Sequence, residues 1–144
     1  MIGGLVVIDA SVVVEYLVSI RWADQATRIF RRLTDPAADL ELWAPDLIFV
    51  ECASALRRLV ATGAIDGPAG GRAVDKLPRL PIQAAGTAAL IEDVWKLRAT
   101  LTAYDACYVA LASRLGATLV TADRALARAC APLRPPAVFL GELR

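Results

Sequence analysis

Three long apolar runs of this 144-residue chain each carry one carboxylate and no other charge: Asp9 within residues 2–14, Glu51 within 47–56 and Asp105 within 101–113. A fourth acid, Asp123, follows the aliphatic pair Leu119-Val120 as Thr121-Ala122-Asp123. A carboxylate placed among Ile48, Phe49, Val50, Cys52 and Ala53 is costly to desolvate unless something compensates it. Each acid has a separate structural account. Asp9 and Asp123 can cap the helices behind them, Thr102-Ala-Tyr-Asp105 has the spacing of a capping box, and Arg58, seven residues beyond Glu51, shares its helical face as a structural partner. One joint account covers all four: the acids meet in one pocket, where so many negative charges cannot all stay ionised unaided. A divalent cation resolves the conflict, and ligation by oxygen alone selects magnesium or manganese. The chemistry most often run by such a cluster is hydrolysis of a phosphodiester by water activated at the metal.

The elements that must bring these acids together follow from the pattern of apolar runs and breakers. Leu5 to Ile8 is a short, β-branched-rich run of the kind that forms a strand buried on both faces of a parallel sheet, and Asp9 sits at its end. In open α/β sheets the ligand crevice lies outside the carboxyl ends of the strands, which makes an acid there a candidate site residue. A helix through Leu17 follows, then a turn at Ser19 to Arg21. Trp22, Ala26, Ile29, Phe30 and Leu33 recur at helical spacing with Asp24, Arg28, Arg31 and Arg32 opposite, which predicts an amphipathic helix.

Leu40 to Ala44 reads as a short strand, and Pro45-Asp46 opens a helix from about Leu47 to Ala61, closed by Gly63. Asp66-Gly67-Pro68 starts another, to about Leu77, weakened by Gly70 and Gly71. Leu80-Pro81-Ile82 is expected at a sheet edge, where proline is tolerated. Thr87 starts a helix to about Ala99, and Thr102 caps one that runs to Leu115 and stops at Gly116. Strands at Ala117 to Val120 and Ala137 to Leu140 flank a helix over Ala122 to Cys130. The alternation predicts a single domain, residues 1–144, of three-layer α/β/α class with a mostly parallel sheet and right-handed crossovers. If the strands bearing Asp9 and Asp123 are neighbours, and the helices bearing Glu51 and Asp105 cover the same sheet edge, all four carboxylates point into one pocket.

Composition narrows the chemistry. The chain has no histidine, which excludes His-based general acid/base catalysis, Ser-His-Asp triads and every His-ligated zinc site. A net charge of +1 argues against a global positive field as the means of holding nucleic acid. Among the sixteen basic residues only Lys76 and Lys96 are lysines; arginine suits bidentate phosphate contact, and a compositional bias of the source genome produces the same picture. Cys52, Cys107 and Cys130 are an odd set that reads as buried free thiols in a reducing compartment. Asp9 and Glu51 interrupt the first two apolar runs before either reaches the length of a membrane span, and the N-terminus lacks the positive flank of a signal peptide. The expected compartment is the cytoplasm, with no membrane partner. A content of 57% hydrophobic residues leaves apolar surface for a partner or a second copy.

Taken together, Asp9-Ala-Ser11 after a hydrophobic strand, Pro45-Asp-Leu-Ile-Phe-Val-Glu51, Thr102-Ala-Tyr-Asp105-Ala and Thr121-Ala-Asp123-Arg resemble the PIN domain, and more narrowly the VapC-type toxins of toxin–antitoxin pairs. The resemblance covers essentially the whole chain in length and motif order. It implies a magnesium-dependent endoribonuclease that forms a homodimer and is inhibited by a cognate antitoxin protein, whose arginine often enters the acid cluster. Carried over position by position, Asp9, Asp105 and Asp123 hold a first metal. Glu51 with Asp9 serves a second or orients the water, and Ser11 and Thr121 support the acids. Arg57, Arg58 and Arg124 are candidate contacts to RNA phosphates, set against their ordinary role as solvated helix surface.

Two alternatives stand beside this reading. Aspartyl-phosphate phosphatases of the haloacid dehalogenase type also begin with a strand and an aspartate, but have another aspartate two residues on, where this chain has Ser11. They also need a lysine, and neither Lys76 nor Lys96 lies in a recognisable context. The other is a non-catalytic α/β binding module whose acids only cap helices.

Overall fold

The computed structural model describes residues 2–144. Its centre is β1 (Gly4–Ile8), whose Val6, Val7 and Ile8 are fully buried. Asp9 ends the strand and α1 (Ala10–Val18) begins at once. α2 (Ala23–Arg32) is the expected amphipathic helix, with Ala26, Ile29 and Phe30 in the core. β2 (Leu40–Pro45) then pairs in parallel with β1, from Gly4 beside Leu40 to Val7 beside Trp43. α3 (Ile48–Ala61) and α4 (Gly67–Lys76) lead to β3 (Ile82–Ala85), parallel to β2.

The return half begins with α5 (Ile91–Lys96) and α6 (Ala103–Leu115), which lead to β4 (Thr118–Thr121) on the other side of β1. α7 (Arg124–Cys130) and β5 (Ala137–Phe139) complete an all-parallel sheet of order β3-β2-β1-β4-β5. The chain therefore runs outward from β1 to β3, returns past β1, and runs outward again to β5. With right-handed crossovers the first half lays α1 to α4 on one face of the sheet and the second lays α5 to α7 on the other. Packing agrees: α1 touches α2, α3 and α4, while α6 touches α5 and the strands β1, β2 and β4. The result is the three-layer α/β/α arrangement, and the reversal of direction between β1 and β4 is the switch point where such sheets open a crevice.

Two boundaries differ from the sequence expectation for local reasons. Leu80-Pro81 lies outside the sheet. A 3-10 turn occupies Leu77–Arg79, and the edge strand starts only at Ile82, where backbone amides are again free to pair. The helix expected over Thr87 to Ala99 is a 3-10 turn, Ala88–Leu90, followed by the six residues of α5. Its end tightens into i to i+3 bonds, Leu97 N–H to Val94 C=O and Arg98 N–H to Trp95 C=O, so that the chain turns and buries Leu101 before α6. α4 tolerates its glycines because Gly70 is a contact point: a Cβ there would lie 2.7 Å from Val60 Cγ2 of α3. Among the described residues no helix is long and apolar enough to cross a membrane.

Candidate active site

In a parallel α/β sheet each helix that follows a strand starts at the strand's carboxyl edge. Asp9 is the N-cap of α1 directly behind β1, and Asp123 is the N-cap of α7 two residues behind β4. Glu51 lies in the first turn of α3 behind β2, and Asp105 in the first turn of α6, which descends to the start of β4. Four helix N-termini thus meet at one edge, and their free amides and dipoles favour negative charge there. Asp9, Glu51, Asp105 and Asp123 line one open hollow of about 490 Å³. The joint account of the acids requires β1 and β4 to be neighbours, and they are: the register pairs Val6 with Thr118 and Ile8 with Val120.

Asp9 is buried, and both of its oxygens are engaged by neutral donors. Oδ1 accepts from the Ser11 amide at 2.5 Å, and Oδ2 accepts from the Thr121 hydroxyl. The Thr121 oxygen in turn accepts from the Asp123 amide at 2.9 Å, while Ser11 Oγ accepts from the Ala122 amide at 2.9 Å. Ser11 and Thr121 therefore tie the end of β1 to the end of β4 and fix Asp9 between them. Burial nonetheless dominates and pushes the Asp9 carboxyl up from 3.8 to about 6; the Thr121 and Ser11 bonds oppose the rise, and the Asp105 charge adds to it.

Glu51 is half-buried, and desolvation raises its carboxyl as well, opposed by a hydrogen bond and reinforced by Asp105. That hydrogen bond comes from the Tyr108 hydroxyl, at 2.7 Å from Oε1. Asp105 is raised by burial first and by Asp123 second, with the Thr102 hydroxyl acting against both. Its charge thus presses on Asp9 and Glu51 while Asp123 presses on it. The caps expected from the sequence are real, since Asp123 Oδ1 accepts from the Ala125 and Leu126 amides and Thr102 Oγ1 accepts from the Asp105 amide. Capping and convergence are the same geometry here: a cap holds a carboxylate at a helix start, and the helix starts point at one another.

Other expectations change. Arg58 lines the hollow but is not the ionic partner of Glu51; among the described residues the ion pairs gather at Asp93, with Lys96 and Arg114, and at Glu92. Arg57 turns to the other side of α3, into a shallow depression beside α4 lined by Val60, Gly70 and Val74. The Arg124 guanidinium stacks over the Phe139 ring at 4.4 Å and is not among the residues that line the hollow. Three polar lining residues escaped the sequence reading, Tyr108, Glu15 and Thr62. Tyr108 follows Asp105 by one helical turn, a signal masked by the apolar run around it. Glu15 lies one residue past the first apolar run; it is 7% exposed, and its Oε2 accepts from the Arg21 and Trp22 amides at 2.8 Å, anchoring the loop that carries Ile20 to the rim.

The donor set fits a hard divalent cation. Every ligand candidate facing the hollow is an oxygen, and the neighbouring thiols are held protonated, Cys52 pushed up to about 12 and Cys130 to about 11 by burial first. Among the described residues no three acids, cysteines or histidines stand close enough to form a ready-made cage. Gripping an ion therefore calls for side-chain rotation of carboxylates that already line the same hollow.

Comparison with known proteins follows the same direction. The PIN domain family model matches residues 6–132. Ribonuclease VapC9 of Mycobacterium tuberculosis is 44% identical over 82 residues, 57% of this chain and 65% of that protein, so the match spans a little less than two thirds of that relative's length. Ribonuclease VapC3 of Mycobacterium tuberculosis is 36% identical over 124 residues, 86% of each chain. The crystal structure of PAE2754 from Pyrobaculum aerophilum superposes with a TM-score of 0.65 over 96% of this chain and 85% of that one; at 22% identity the likeness is one of fold. The haloacid dehalogenase alternative falls with these matches. A family match across residues 6–132 and a VapC relative aligned over 86% of both chains make this chain a member of the PIN domain family, in its VapC group.

Proposed function

We propose that this chain is a divalent-cation-dependent endoribonuclease that acts in the cytoplasm as the toxin of a toxin–antitoxin pair. The observation that carries the reading is the meeting of Asp9, Glu51, Asp105 and Asp123 at one hollow, with three of the four carboxyls raised by burial and by one another. Relatives named as VapC ribonucleases support the choice of RNA as substrate. In this reading Asp9, Asp105 and Asp123 hold magnesium or manganese, with Glu51 serving a second ion or orienting water. Bound there, the cation supplies the activation of water and the neutralisation of phosphate charge that phosphodiester hydrolysis needs.

The chain's own residues do the rest. Ser11 and Thr121 keep Asp9 in place through neutral bonds that leave its charge intact. Arg58, on the wall of the hollow, is the arginine of the three candidates best placed to meet a phosphate. A single antitoxin arginine entering the hollow would offset the same charge, which gives inhibition a direct electrostatic basis. Exposed Val50, Ile91, Trp95 and Tyr104 are apolar surface suited to cover by a second copy or by the antitoxin.

The experiment is cleavage of RNA by purified protein with magnesium, with chelator, and with Asp9→Asn. Cleavage should be lost in the last two conditions. Cleavage indifferent to chelator and to the substitution rejects the nuclease. Toxicity in a host cell that survives Asp105→Asn but disappears on mutation of surface apolar residues favours a binding module instead.

A further inference from the structure

Tyr108 lies at the floor of the acid hollow with its side chain 1% exposed, yet it is not one of the acids and not one of their supports at β1 and β4. It sits in α6, one turn after Asp105, and its hydroxyl donates to Glu51 Oε1 at 2.7 Å. Because α3 and α6 cover opposite faces of the sheet, this bond closes the carboxyl edge from one layer to the other. Glu51 is a long side chain in a half-open site, and without a partner its carboxylate has several rotamers to choose from.

The kind of partner matters as much as its presence. A guanidinium at this place would fix the carboxylate and cancel its charge. A phenol fixes it and leaves the charge available, and it engages only one oxygen: among the described hydrogen bonds Glu51 Oε2 has no protein partner. Arg58, the cation nearest to hand on the same helix, forms no ion pair with Glu51.

We propose that Tyr108 is a positioning residue for a divalent cation in this hollow, holding Glu51 by a neutral hydrogen bond so that its free oxygen faces the ion. The proposal rests on the reading above that these carboxylates bind such an ion. Partners one step behind a metal ligand are worth about ten- to a hundredfold in metal affinity. The test is Mn2+ binding to RNA-free protein, read from the loss of the free-ion electron paramagnetic resonance signal, for the wild type, Tyr108→Phe, Glu51→Gln and the double variant.

Tyr108→Phe should bind Mn2+ at least about tenfold more weakly, the double variant should bind no more weakly than Glu51→Gln alone, and excess Mn2+ should restore RNA cleavage by Tyr108→Phe with an unchanged KM for RNA. A second measurement needs no substitution. With 3-fluorotyrosine incorporated, the fluorine resonance of Tyr108 should shift on addition of Mg2+ and that of Tyr16 should not. Unchanged Mn2+ affinity in Tyr108→Phe, an equal loss with or without Glu51, or an unmoved Tyr108 resonance overturns the positioning role while wild-type Mn2+ binding leaves the nuclease reading standing. Wild-type protein that takes up no Mn2+ overturns both.

Discussion

Replacing Asp9 by asparagine should stabilise the metal-free protein at neutral pH while destroying its activity. The carboxyl is buried and lifted from 3.8 to about 6. At about 1.4 kcal/mol for each tenfold change in proton affinity, its ionisation costs the folded state about 3 kcal/mol. The direction with pH follows from the lifted value. Between about pH 4 and pH 6 the folded chain keeps a proton that the unfolded chain has lost, so stability falls as pH rises through that window and is level above it. Asparagine removes the charge, keeps an oxygen for the Ser11 amide and, like the protonated acid, turns a donor toward Thr121; the bond that Thr121 gives the carboxylate is already counted in the lifted value.

The gain above pH 7 is therefore about 3 kcal/mol, or about 9 °C in melting temperature for a chain of this size. Near pH 4, where the wild-type carboxyl is already protonated and offers the same acceptor and donor pattern as an amide, the two proteins should be about equally stable. The assay is thermal unfolding of both proteins in chelator from pH 4 to pH 8. Added Mn2+ should then raise the wild type and not the variant, reversing the order at neutral pH. A variant less stable than the wild type by the same amount at every pH would refute the reasoning.

Arg58→Ala should raise the KM for RNA severalfold with little change in kcat and lower the salt dependence of binding by about one counterion, whereas Arg57→Ala, on the far side of α3, should do neither. Equal effects in the two would remove Arg58 from the site. Gly70→Ala should destabilise by about 1–2 kcal/mol, the crowding of Val60 outweighing the better helix propensity of alanine. Gly71→Ala, which meets nothing within 4 Å, should stabilise by up to about 1 kcal/mol. Denaturant midpoints check the pair, and two shifts of the same sign would show that α4 does not pack on α3 as described.

The framework was legible because the sequence marks its own boundaries. Val6-Val7-Ile8, short and β-branched, has the look of a strand buried on both faces, and the caps at Asp9, Asp66, Thr102 and Asp123 start helices where the chain must turn back along the sheet. The neighbour relation of β1 and β4 had no local signal. It followed from asking where four stranded carboxylates could share a fate, which is a global constraint expressed in residue types. What stayed hidden is what depends on the exact approach of distant elements. The partner of Glu51 comes from 57 residues along the chain, while Arg58 lies on the same helix and satisfies spacing without satisfying geometry. The glycines of α4 read as weakness because propensity is a property of one helix, and the reason for Gly70 lies on another.

The donors around the acids share one trait that no single contact reveals. Asp9 is held by a hydroxyl and an amide, Glu51 by a phenol, and Asp123 by two helix amides; none is held by a cation. A chain with fourteen arginines had the means to neutralise any of these carboxylates and places its ion pairs on the surface around Asp93 instead. Neutral donors fix orientation and soften the cost of burial without removing charge, so Asp9, Glu51 and Asp105 all keep raised carboxyls in the folded protein. Such an arrangement is a poor way to stabilise a helix start and a good way to hold negative charge ready for something positive from outside. The same uncompensated charge would make Asp9→Asn stabilising, would give a divalent cation its affinity, and would give a single inhibitory arginine its hold.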